Sequence, residues 1–98
     1  MSGGADELVD QAAAAWLLAA LEELLERTIE QQRAKVLKLA REAVPNIGPE
    51  DVLNPFDFPE LKAHPTFEYE DGILAGLISA QIAIRAELRS RQPAALGS

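Results

Sequence analysis

From Ala5 to Val44 apolar residues return at helical intervals. Leu18, Leu25, Ile29, Val36, Leu39 and Ala43 follow one another at steps of three, four or seven. That periodicity gathers them on one stripe of a helix facing a partner. The stretch contains neither proline nor glycine and is rich in Ala, Leu, Glu, Gln, Lys and Arg, the strongest helix formers. Acidic residues dominate its first half, whereas Lys35, Lys38 and Arg41 occupy its last turns, as the helix dipole favours. Glu23 and Arg27 add a favourable i,i+4 pair. Pro45 ends the pattern, because the residue before a proline avoids the α region. One long helix over 5–44 is predicted.

The next stretch, 45–65, holds five of the six prolines and predicts a connector rather than a continuous helix. Its prolines suit the first positions of short helical turns, Pro49 in "GPEDVL" and Pro59 in "DFPELKAH". Leu53, Phe56, Phe58 and Leu61 give the connector apolar surface with which to pack. Helical spacing resumes over 66–91, with Leu74, Leu77, Ile78, Ile84 and Leu88 in phase. Gly72, Gly76 and Ala80 stand four apart on this second helix. Each glycine inside a helix costs about 1 kcal/mol relative to alanine, so a face of small residues implies close approach of another helix. Residues 92–98 read as a flexible tail, and no strand-like alternation occurs. The expected fold is a single all-α domain over 1–98, with the second helix folded back on the first as a helical hairpin.

Length makes a lone hairpin incomplete. At about 1.5 Å per residue the first helix is about 60 Å long and the second about 37 Å, leaving about 20 Å without an intrachain partner. Trp16, Leu17, Leu18, Leu21, Leu24 and Leu25 spread over more than one face of that first half. A helix apolar on two sides lies between two partners. A homodimer is therefore expected, two hairpins forming an antiparallel four-helix bundle. Its candidate interface comprises Trp16, Leu18, Leu21, Leu25, Ile29, Gln32, Val36, Leu39, Gly72, Gly76 and Ala80. Gln32 falls on the apolar stripe, and Gln81 has a similar place on the second helix. Two readings stand for them: solvated positions at the stripe's edge, or a buried amide pair that fixes register. On the second reading, Gln32→Leu raises thermal stability.

Composition narrows the function. Sixteen acidic against nine basic residues give a formal charge of −7, which disfavours binding to phosphate backbones and anionic membranes. The chain has no cysteine, which rules out disulfides, thiolate catalysis and Cys-ligated metals within it. "AAAAWLLAALEELLE" is broken by Glu22 and Glu23 too soon for a membrane span, and no basic region precedes it. Neither a signal peptide nor a membrane anchor is predicted; cytoplasm is the expected location.

Candidate chemistry is sparse. Glu22, Glu26 and Glu30 line one helical face, but the Glu-x-x-His units of carboxylate-bridged metal bundles are absent. Glu60 and the sole histidine, His64, are i,i+4 neighbours, too few for zinc and without a nucleophile beside them. Glu68, Glu70 and Asp71 fall where negative charge complements a helix N-terminus. Arg85, Arg89 and Arg91 suit the opposite end, or the acidic half of the long helix. No serine lies in a G-x-S-x-G turn and no phosphate-binding loop occurs. No catalytic, cofactor or metal residue is assigned. The expected function is a non-enzymatic protein–protein interaction or scaffold module, with Phe56, Phe58 and His64 as a candidate partner surface. Alternatives are a carboxylate-rich metal- or ligand-binding bundle and a small regulator contacting nucleic acid.

Overall fold

The computed structural model describes residues 3–91; the tail expected over 92–98 lies outside the described residues. The fold is all-α, with no strand among the described residues. Helix α1 spans Gly3–Ala43, two residues earlier at its start than the periodicity indicates. Two single 3-10 turns follow, Asp51–Leu53 and Pro55–Asp57, then the one-turn helix α2, Pro59–Lys62, and the long helix α3, Pro65–Ser90. Pro55, Pro59 and Pro65 each open the element that follows them. Their locked φ suits a first helical position, where the missing N–H has no partner to lose.

Helix α3 runs back along the C-terminal half of α1. Glu22 meets Arg85, Glu26 meets Gln81, Gln32 meets Glu70, and Glu42 approaches His64, so α1 numbers rise as α3 numbers fall. The molecule is an elongated rod of 67 × 23 × 19 Å. Its core occupies one end: Ile29, Val36 and Ala40 from α1, Ile47 and Leu61 from the connector, Phe67 and Leu74 from α3. Leu61, wholly buried at 0% exposure, plugs the space where α1 and α3 diverge into the connector. The connector is tied by its own backbone and side chains. Arg41 donates to the Ile47 carbonyl at 3.3 Å, and the Gly48 N–H donates to Asp51 at 3.0 Å.

The aromatics of the connector part company. Phe58 packs against the core, whereas Phe56 is 78% exposed, with the Lys62 ammonium 4.0 Å from its ring centroid. Leu61→Ala is therefore expected to lower the unfolding free energy by about 2–5 kcal/mol. Phe56→Ala is expected to cost less than about 1 kcal/mol. Urea titration at one protein concentration distinguishes the two.

Candidate functional site: the α1–α3 contact and the uncovered half of α1

Polar side chains are threaded through the contact between the long helices. The Gln32 amide donates to the Glu70 carbonyl at 2.8 Å and to its carboxylate at 2.6 Å; the Lys35 ammonium reaches the same carboxylate at 2.9 Å. Glu70 is only 7% exposed, so these donors replace lost water. The Gln32 amide, then Lys35, hold its carboxyl below the ordinary carboxylate range. About three turns further along α3, the buried Gln81 donates to Glu26 at 3.1 Å. Arg85 then spans Glu22 at 2.9 Å and Glu26 at 2.7 Å. Those two carboxylates, Glu22 first, raise the Arg85 pKa above its ordinary value and keep it charged.

This geometry corrects several sequence expectations. Gln32 and Gln81 neither pair with each other nor merely edge the stripe; each serves a carboxylate on the opposite helix. Glu70 is not a solvated acid at a helix start. It stands three residues after Phe67 and four before Leu74, on the buried face, and that spacing was the signal to read. The Glu22–Glu26–Glu30 face is not an open row of ligands, since Arg85 occupies Glu22 and Glu26. No group of three or more potential metal ligands occurs among the described residues. His64 caps α3: its Nδ1 accepts from the Phe67 N–H at 3.1 Å, with Nε2 3.9 Å from Glu42.

The candidate interface divides as well. Ile29 and Val36 are consumed by the chain's own core, and Leu25, Gln32 and Leu39 are half-buried there. Trp16 is 71% exposed, with Leu18 and Leu21 also exposed. Gly72, Gly76 and Ala80 point away from α1. A methyl group built on either glycine meets nothing within 4 Å, so intrachain packing does not explain them.

On one side of the helix pair lies an apolar cleft of about 410 Å³, walled by Val36, Leu37, Val52, Leu74 and Ile78. Glu30, Arg33 and Asp71 also line it. Burial, then the neighbouring Glu68, pushes the Asp71 pKa up. Among the described residues no helix is long and apolar enough to cross a membrane. No protein-family model, curated protein or solved structure matches this chain.

Two outcomes follow from these environments. Gln32→Leu takes the shortest hydrogen bond from a nearly buried carboxylate, so the thermal midpoint falls rather than rises. Differential scanning calorimetry reads the sign. Acidification has opposite effects at the adjacent acids. Glu70, with its pKa lowered on folding, stabilises the fold above the carboxylate range, and this is lost as pH falls through its folded value. Asp71, with its pKa raised, opposes folding at neutral pH, and protonation relieves it. Asp71→Asn is accordingly expected to raise the midpoint at pH 7 and to lose that advantage below the carboxylate range.

Proposed function

We propose that this chain is a non-enzymatic, cytoplasmic helical interaction module that works as a homodimer. Two helical hairpins would join through their long helices into an antiparallel four-helix bundle. One observation carries the reading: Leu8, Val9, Trp16, Leu17, Leu18, Leu21 and Leu24 are all exposed on the N-terminal part of α1, with Leu21 and Leu24 on the flank beside α3. Seven large apolar side chains exposed on one segment support an interaction site rather than ordinary surface composition. The open face of α3, with exposed Ile73, Ile82 and Ile84 around Gly72 and Gly76, offers a second surface with room for a neighbouring backbone.

A second reading, ligand binding by the bundle, draws on the apolar cleft beside α3 rather than on the acidic face. The net charge of −7 gives the nucleic-acid reading no comparable support. Sedimentation equilibrium decides the main one. The wild-type chain is expected to be a dimer at micromolar concentration. Leu21→Glu, a change outside the chain's own core, is expected to give a helical monomer. A stable, fully folded wild-type monomer at that concentration sinks the proposal.

A further inference from the structure

We infer that the occupant of the uncovered face of α1 is the α1 helix of a second copy, docked antiparallel in one register about a two-fold axis between residues 22 and 23. The inference rests on the reading of α1 as an interaction helix and goes on to fix its orientation. One flank of α1 carries an unbroken three–four alternation: Glu7, Asp10, Ala14, Leu17, Leu21, Leu24, Thr28, Gln31, Lys35 and Lys38. The middle of this seam, Ala14, Leu17, Leu21 and Leu24, is a short apolar run at the heptad spacing by which two helices interlock, and the seam's ends are charged. It is separate from the stripe facing α3. Leu17, Leu21 and Leu24 are each about half exposed, and every other member is exposed except the half-buried Thr28.

The seam is self-complementary only when reversed. About the proposed axis, Leu21 meets Leu24 of the second copy, Leu17 meets Thr28, and Ala14 meets Gln31. At the ends Asp10 meets Lys35 and Glu7 meets Lys38. In the parallel alignment the acids face acids and the lysines face lysines, which is unfavourable. Thr28 turns its hydroxyl inward onto the Leu24 carbonyl at 2.8 Å, satisfying its polar atom within the helix. Lys35, already at Glu70, keeps further donors and a half-exposed side chain with which to reach Asp10. The axis falls within one residue of the middle of Gly3–Ala43, so the two long helices overlap from end to end. Each uncovered N-terminal half then lies along the half of its neighbour that α3 supports, and the contact is closed and isologous.

The absence of cysteine gives a clean test. Full-length chains carrying Ala14→Cys and Gln31→Cys are mixed and treated with a short bis-maleimide. The expected product is the mixed 14–31 crosslink. Self-linked Ala14→Cys is not expected, because those sites lie about 25 Å apart along the antiparallel axis. Glu7→Lys is expected to weaken self-association about tenfold, and Glu7→Lys with Lys38→Glu to restore it. A self-linked 14–14 product, or a dissociation constant indifferent to Glu7→Lys, overturns the inference. A dimer that crosslinks at neither pairing also overturns it while leaving the homodimer intact; a wild-type monomer removes both.

Discussion

Forty-one residues of α1 face a return helix of only twenty-six, and much of the structure follows from that mismatch. Burial needs two surfaces, and α3 supplies the second only along the C-terminal half of α1. The core therefore collects at one end, where Ile29, Val36 and Ala40 meet Phe67, Leu74 and the connector's Ile47 and Leu61. Beyond Glu22 the long helix continues with its leucines uncovered. Intrinsic propensity favours that extension, since alanine and leucine are strong helix formers, but most helical stability in proteins comes from packing an amphipathic face. The uncovered half is thus the part of the chain for which a partner has most to contribute.

Where the two helices do meet, leucine and isoleucine alone do not define how they align. A smooth apolar stripe tolerates sliding by a turn. Gln32 with Glu70, Gln81 with Glu26, and Arg85 with Glu22 and Glu26 fix the alignment at three heights. Their geometric demands are sharper than those of dispersion contacts, because a missed hydrogen bond leaves a desolvated group unpaired. No side-chain polar atom buried among the described residues lacks a partner. The net gain from each contact is modest; the specificity comes from the cost of every alternative register. His64 serves the same end at the turn, accepting the Phe67 N–H where the connector delivers the start of α3.

Much of the architecture could be read from spacing and from proline. The absence of Pro and Gly over 5–44, the prolines of the connector and the resumed periodicity near 66 each have a local physical meaning that survives folding. What escaped was the role of charged residues on the buried face. Glu70 resembles any acid near a helix start until α1 brings Gln32 and Lys35 beside it. For Arg85 the sequence leaves two places open, a helix end or the acidic half of the long helix, and the reversed direction of α3 decides for the second, between Glu22 and Glu26. These assignments depend on contacts 35 to 63 residues apart in the chain, to which local propensity is blind. The small-residue face shows the converse. Gly72 and Gly76 read in the sequence as a place of close helix approach, but both are exposed, and a methyl group built on either meets nothing within 4 Å.

Two stripes on α1, nearly adjacent on its surface, divide the work. Leu25, Ile29, Gln32, Val36 and Leu39 turn toward this chain, whereas Leu17, Leu21, Leu24 and Thr28 lie beside them on the open flank. Because the stripes are offset rather than opposite, a helix docked on the second would lie at an angle to α3 instead of across the rod from it. Both stripes keep a three–four alternation, so composition and length separate them rather than spacing. The first is apolar except at Gln32 and matches the contact with α3. The second is apolar at its middle and charged at its ends. On the proposed docking, the same forty-one residues serve a short intrachain interface and a long one between copies, and the opposite charges at the ends of the long one give it a direction that its leucines cannot.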